Sequence, residues 1–372
     1  MVKFIQTSDW QIGMKGGGLG DAGALVRRQR INSISRIFEL ALEHDVDFVF
    51  IAGDVFENNN VSDQDVSAVI SILNKHPNLP VYLLPGNHDC LGSGCVYDRD
   101  IFNRVEHLTI LNSFEPIEIG DAILHPLPLF SRYSSEGDHS FLDVKEQPGI
   151  HIGVSHGSLI GKVRVGGDLE YPIDLGCIEE CGLDYLALGH WHSWSIHEDS
   201  AGVPRVAYSG THEQTKYSEK DAGYCLLVEI SEKGAIPVIK PLKCGGLSWA
   251  SFDYEISSGE QLSHLDGLLK EHKDHNMLEL NLRGRLSLDD ENELKRILAY
   301  HDTLHEDFRT NIDSLRYTVP IDKDSARDLG DPTLNLVDVE LRSMILDEAD
   351  PRQQAVLVEA ISMLYRLSEE GS

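Results

Sequence analysis

A chain of 372 residues, 41% of them hydrophobic, is too long for one ordinary domain and can bury a sizeable core in each of two. Its formal net charge of −29 argues against a protein that coats nucleic acid by charge alone, since such binders carry a basic face. No run approaches the roughly 20 apolar residues of a membrane span, so no membrane helix is expected.

In chain order, "KFIQTSD" (3–9) reads as a strand rather than an export signal, which makes the cytoplasm the expected compartment. Val26, Ile31, Ile34, Ile37 and Leu40 have helical spacing and predict a helix over 25–43, carrying "RRQR" at 27–30. "DFVFIAGD" (47–54) predicts a buried strand, 62–75 a helix, and "VYLLPGN" (81–87) a strand running into a Gly-rich loop. Strands follow at "GIHIGVSHG" (149–157) and "YLALGH" (185–190). A meander comes next: "WSIHED", "RVAYSG", "YCLLVEIS" and "IPVIKPL". Helices between short buried strands, then a meander, predict a layered α/β domain over 1–245, built on either a mixed sheet or a β-sandwich.

"CGGLSW" (244–249) marks a hinge. A small α+β unit is predicted over 246–320, with a strand at 250–256, a helix at 259–271, the strand "MLELNLRGRL" (277–286), a helix at 288–301 and a strand near 313–319. The polar stretch "PIDKDSARDLGDP" (320–332) opens a C-terminal segment, 321–372, with two amphipathic helices. Leu334, Val337, Leu341, Met344 and Ile345 share a face of the first, and Leu357, Ile361, Leu364 and Leu367 a face of the second. Such faces pack a core or dock a partner. The six cysteines include no CxxC pair and are expected to be free thiols, although Cys177 and Cys181 in "CIEEC" could share a helix face. The basic clusters "RRQR", "GKVR" (161–164) and "RGR" (283–285) each read, taken alone, as solvated surface charge.

Through the first 192 residues the apolar runs keep ending on Asp, Asn or His. The run ends are Asp9, Asp54, then Asn87 with His88 and Asp89, then His156, then His190 and His192. Singly, an Asp after a strand is a turn or cap residue and a His a satisfied core side chain. Turn chemistry would not select imidazole at three successive strand ends, and ligands of open α/β sheets gather beyond the carboxyl ends of strands. Oxygen and imidazole donors without thiolate suit Mn²⁺, Fe²⁺ or Zn²⁺ rather than a structural zinc site. Six or more donors are too many for one small ion, and a shared carboxylate lets two ions sit about 3.5–4 Å apart, where they activate water and neutralise phosphate charge.

"DWQ" (9–11), "GDVFE" (53–57), "GNHD" (86–89), "GVSH" (153–156) and "GHWH" (189–192) resemble, in order, spacing and strand context, the five motifs of the calcineurin-like metallophosphoesterases. The "YSGTHEQ" segment (208–214), the small α+β unit and the terminal helices resemble the SbcD branch of DNA-repair exonuclease subunits and related double-strand-break repair nucleases. The resemblance implies a β-sandwich flanked by helices, with an α+β cap and C-terminal helices. It implies two divalent ions, Mn²⁺ foremost with Fe²⁺ or Zn²⁺ as the other candidates. Asp9, Gln11, Asp54 and His192 would hold one ion; Asp54, Asn87, His156 and His190 would hold the other. His88 would face the scissile phosphate, donating a proton or stabilising charge, with Asp89 holding its ring. The motif departs at Gln11, where the family usually has His. A carboxamide oxygen is a weaker donor, which predicts a weaker site favouring Mn²⁺.

The same resemblance implies a nuclease acting on DNA phosphodiester bonds, exonucleolytically or at single-stranded flaps and hairpins. The 246–320 unit would cap the site and guide the strand, with Arg283 and Arg285 as candidate phosphate contacts. The terminal helices would dock an SMC-like ATPase of the SbcC type, which would supply DNA-binding surface that this acidic chain lacks. A homodimer paired through helices of the first domain is expected by the same analogy. Two other readings stay open: a phosphatase or phosphodiesterase for a small molecule such as a nucleotide, and a metal-poor scaffold that binds a partner through its helices.

Overall fold

The structure, a computed structural model, describes residues 1–20, 22–134, 143–161, 170–318, 326 and 328–370. Residues 162–164 of "GKVR", most of the polar stretch 320–332 and the side chain of Cys177 lie outside them. The chain divides into two compact units, Met1–Leu247 and Ser248–Ser372.

The first unit is the layered α/β sandwich expected from the sequence. Its elements are β1 (Val2–Thr7), α1 (Ala22–Glu43), β2 (Phe48–Ala52), α2 (Asp63–Leu73), β3 (Val81–Leu84), β4 (Leu108–Ile110), β5 (Ile117–Ile119), β6 (Ala122–Pro126), β7 (Ile150–His156), α3 (Gly176–Cys181), β8 (Tyr185–Gly189), β9 (Ser195–Glu198), β10 (Pro204–Tyr208), β11 (Tyr224–Ile230) and β12 (Val238–Lys243). Among the described residues these strands form two six-stranded sheets, ordered β12-β11-β1-β2-β3-β4 and β5-β6-β7-β8-β10-β9. The first sheet is parallel from β1 through β4 and antiparallel at its β11–β12 side, and the second has a parallel centre with an antiparallel strand at each margin.

Strand alternation sorts the side chains between two cores. Phe4, Phe48 and Phe50 face Ile152, Val154 and Tyr185 between the sheets, with the Phe4 and Phe48 rings stacked 5.1 Å apart. Ile5, Val49 and Ile51 point the other way, against Ile34, Ile37 and Phe38 of α1 and Val66 and Val69 of α2. Buried on both faces, β2 is therefore apolar throughout rather than alternating. Helix α2 starts at Ser62, whose side chain accepts the Asp65 N–H, with Asp63 and Asp65 in the first turn to complement the helix dipole. No strand is predicted over 108–126, yet β4, β5 and β6 form there; β4 and β5 have three residues each, too few to display a period. The "RRQR" cluster is not uniformly solvated: Arg27 and Arg28 are exposed, whereas Arg30 is 2% exposed. Cys90, Cys95, Cys181, Cys225 and Cys244 are free thiols.

The second unit is a parallel three-stranded sheet of β13 (Trp249–Ile256), β14 (Met277–Ser287) and β15 (Asp307–Thr318), joined through α4 (Leu262–Glu271) and α5 (Leu288–Asp302). Two further helices, α6 (Pro332–Asp347) and α7 (Pro351–Glu370), complete it. Strand β15 starts well before the predicted 313, because its half-buried first half, Asp307–Ile312, has only Phe308 and Ile312 as apolar residues, too few to mark a strand period. Leu278, Leu280 and Leu282 meet Leu265, Leu269 and Ile297 in one core, to which α6 and α7 add Ile345, Ile361 and Tyr365.

The inward stripe of α6 differs from the predicted one. Ile345 is buried as expected, but Val337 and Met344 are 37% and 50% exposed, and Asp338 and Arg342 are buried in their place. A paired charge makes this possible. Arg342 Nε lies 2.9 Å from Asp338 and its Nη2 donates to the Tyr365 hydroxyl at 3.0 Å. Arg342→Ala would leave the Asp338 carboxylate buried and uncompensated. It is expected to cost about 3–5 kcal/mol in equilibrium denaturation, and removing both charges with Asp338→Leu and Arg342→Met should recover most of that.

No helix among the described residues is long and apolar enough to cross a membrane.

Candidate metal centre

The carboxyl ends of β1, β2, β3, β7 and β8 meet at one edge of the sandwich, where main-chain bonds join neighbouring loops of one sheet and a further bond crosses from the other. The Asp9 N–H donates to the Gly53 carbonyl at 3.0 Å and the Gln11 N–H to the Asp54 carbonyl at 2.8 Å. The His190 N–H reaches both Asp9 carboxylate oxygens, at 3.2 and 3.1 Å. Asp9, Gln11, Asp54 and His190 all hold left-handed backbone, with φ of 53°, 41°, 55° and 101°. Non-glycine residues pay on the order of 1–3 kcal/mol each for such conformations, and they concentrate where function demands them. Glycine is needed beside them: a Cβ at Gly86 would collide with the Asp54 carboxylate, and one at Gly189 with the Ala52 carbonyl.

At the centre, ligand atoms of Asp9, Asp54 and His156 all lie within 4.8 Å of one another, and all three residues are buried. His156 Nε2 is 3.3 Å from Asp54 Oδ2 and 3.0 Å from Asn87 Oδ1. Its Nδ1–H donates to the Ala52 carbonyl at 2.7 Å, which leaves Nε2 as the atom offered to the centre. His190 packs edge-on against His156 with ring centroids 5.3 Å apart. His190 Nε2 is buried and has no hydrogen-bond partner. His192 is near enough to feel the Asp9 charge, and its Nδ1 is 2.8 Å from Glu219 Oε1. Gln11 is buried, fixed by its main-chain bond to Asp54. His190, His192, Lys216 and Glu219 line a cavity of about 250 Å³.

The electrostatics suit a cation. Burial works against the Asp54 carboxylate, but the adjoining His156 outweighs it and holds Asp54 well below the usual carboxylate range. Burial likewise opposes an imidazolium at His156, yet Asp54 lifts it to about 9. Burial, reinforced by His156, pushes His190 down to about 3, so its ring is neutral with a lone pair to give. Asp9, fully buried, is shifted upward by desolvation. Two buried carboxylates beside the neutral His190 ring and the His156 nitrogen form a donor set that a divalent ion satisfies, and such an ion would replace the His156 proton as counter-charge. The unpartnered His190 Nε2 fits the same conclusion.

One expected role is corrected. Asp89 does not hold the His88 ring. Its carboxylate is fully buried and accepts the Phe56 N–H at 3.0 Å, the Gly86 N–H at 2.8 Å and the Tyr97 hydroxyl at 2.5 Å. It thus braces the turn that presents Asn87 and His88. Burial, with the Asp54 charge adding to it, raises Asp89 to about 6. The His88 Nδ1–H donates instead to the Glu57 carbonyl at 2.9 Å, and the His88 main-chain N–H donates to Asp54 Oδ1 at 2.9 Å. The ring is part-exposed, and its Nδ1 also lies 3.9 Å from a carboxylate oxygen of Glu57. Arg283 and Arg285 lie on β14 in the other unit, both exposed; Arg283 is 3.3 Å from Glu255.

Residues outside the motifs also build the centre. Buried Arg30 donates to the carbonyls of Asp9, Trp10 and Glu213, and Thr211 Oγ1 donates to the Asp9 carbonyl at 2.8 Å. Arg30 could have been found, because it stands four residues from both Val26 and Ile34 on the buried stripe of α1. Glu170, 3.4 Å from Asn87 Nδ2, and Glu219 sit in polar stretches that give no such signal.

The calcineurin-like phosphoesterase family model matches residues 2–194, which span every strand end from Asp9 to His192. The DNA double-strand break repair protein Mre11 of Saccharolobus solfataricus is 23% identical over 348 residues, 87% of this chain and 87% of its own length. The SbcD component of the nuclease SbcCD of Staphylococcus saprophyticus is 25% identical over 277 residues, 65% of this chain and 69% of its own. The uncharacterized metallophosphoesterase YhaO of Bacillus subtilis is 27% identical over 217 residues, 55% of this chain and 50% of its own.

Proposed function

The chain belongs to the calcineurin-like phosphoesterase family, a family of metal-dependent phosphoester hydrolases, and from that premise we propose that it is a Mn²⁺-dependent DNA nuclease of the SbcD/Mre11 branch. The observation that carries the chemistry is the convergence of Asp9, Asp54 and His156 on one point beside an unpartnered His190 nitrogen. Similarity to a double-strand break repair protein along 87% of the chain supports DNA as the substrate.

In this reading Asp9, Gln11, Asp54 and His192 hold one ion, and Asp54, Asn87, His156 and His190 the other. The ions supply Lewis-acid charge and an activated water. The chain's own contribution is placement and proton transfer. With the His88 Nδ1–H committed to Glu57, the proton on the other ring nitrogen goes to the leaving oxygen as the P–O bond breaks. Gln11 makes the first site the weaker and favours Mn²⁺ there.

Met1–Leu247 is the nuclease unit in this proposal. The segment 246–320 guides the DNA strand, with Arg283 and Arg285 as phosphate contacts. The helices of 321–372 dock an SMC-like ATPase; Leu336, Val339, Val356 and Met363 leave an exposed apolar face for it. A homodimer would pair through the exposed side of α1.

Labelled single- and double-stranded DNA incubated with Mn²⁺ is expected to be cut, with cutting abolished by chelation and increased by the cognate ATPase. Hydrolysis of p-nitrophenyl phosphoesters with no action on DNA would overturn the substrate assignment and favour a small-molecule phosphodiesterase. No metal-dependent action on either would favour a binding scaffold.

A further inference from the structure

Glu219 lies outside the strand-end motifs, on the loop between β10 and β11. Its Oε1 is 2.8 Å from His192 Nδ1, and its side chain is 4% exposed. Its Oε2 accepts the Thr215 N–H at 2.7 Å and the Thr215 hydroxyl at 3.1 Å. Lys216, 3.7 Å away, is 62% exposed and leaves the inward geometry to His192 and Thr215. An imidazole that gives its Nδ1–H to a carboxylate is fixed in one tautomer and one ring orientation. Its Nε2 is left free, and the negative charge behind the ring makes that nitrogen a better donor.

The same loop braces the other strong donor of this half of the centre. Thr211 Oγ1 donates to the Asp9 carbonyl at 2.8 Å, and Arg30 ties the Asp9 and Glu213 carbonyls together at 3.0 Å each. One segment, Thr211 to Glu219, therefore positions both Asp9 and His192. These are the residues that, with Asp54, must compensate for a carboxamide at Gln11.

We propose that Glu219 is the positioning residue of the Gln11 site, holding His192 in its ligating tautomer and raising its donor strength to offset the weaker Gln11. This rests on the ligand assignment given above.

The test is calorimetric titration of the metal-stripped protein with Mn²⁺. Wild type is expected to bind two ions in separable steps. Glu219→Gln, nearly isosteric, should weaken the weaker step by about 10–100-fold and leave the tighter one unchanged. Glu219→Asp, which keeps the charge, should recover part of the loss. In a His192→Ala background, adding Glu219→Gln should have no further effect, which a general structural role would not produce. The proposal is overturned by an unchanged weaker step, by equal weakening of both steps, or by a further loss in the His192→Ala background. A wild type that binds no Mn²⁺ at all is a different failure, since it removes the ligand assignment along with the proposal.

Discussion

Asp54→Asn is expected to lower phosphodiester hydrolysis by at least about 10³-fold and to weaken binding of both ions. Asp54 is the ligand that the proposed assignment shares between the two ions, and its carboxylate lies within 4.8 Å of ligand atoms of both Asp9 and His156. One oxygen faces His156 Nε2 at 3.3 Å, and the other accepts the His88 N–H at 2.9 Å. Asparagine keeps the shape and an acceptor for His88 but removes the charge that two cations would share. In the metal-free protein the buried carboxylate is paired with His156, and asparagine leaves that imidazole without its counter-charge, so thermal stability of the metal-free protein should fall. Calorimetry with Mn²⁺ and a DNA-cleavage rate on the same preparation check this together. Gln11→Ala is the contrast, since it should affect one ion only. An Asp54→Asn variant that binds two ions and cuts at the wild-type rate would dismantle the two-ion reading.

That expectation comes from residues legible in the sequence, and it is instructive which others were not. Strand ends could be read because β2 and β7 are buried on both faces, so their apolar runs are unbroken and the residue that stops each run stands out. The α/β class followed from the same signal. Arg30 escaped because charge suggests solvent, although its helical phase places it inside. Partnership was hidden as well. Asp89 stands next to His88 in the chain, yet the turn sends its carboxylate to Phe56, Gly86 and Tyr97, while a carbonyl of the preceding motif takes the ring. Adjacency in sequence says little about which way a side chain points in a tight turn. The left-handed φ angles of Asp9, Gln11, Asp54 and His190 leave no compositional trace either, because the strain is imposed by tertiary contacts rather than by local preference. Glu219 lies beyond any local window, 27 residues from the histidine it holds.

His88→Ala is expected to reduce DNA cleavage by about 10²–10⁴-fold while leaving Mn²⁺ binding intact. The separation follows from the geometry. The contact from residue 88 to Asp54 is made by the main-chain N–H, which alanine retains, and the ring bonds to the Glu57 carbonyl rather than to any expected ligand. Truncation thus removes a proton donor without disturbing the carboxylate. The size of the loss should depend on the leaving group. A deoxyribose alkoxide needs a proton as the P–O bond breaks, whereas p-nitrophenolate departs without one, so a p-nitrophenyl phosphodiester should be hydrolysed by the variant at close to the wild-type rate. Equal losses on both substrates would mean that the ring stabilises charge on the phosphate instead of protonating the departing oxygen. Loss of a bound ion in His88→Ala would put the ring among the ligands, against the direction in which Glu57 holds it.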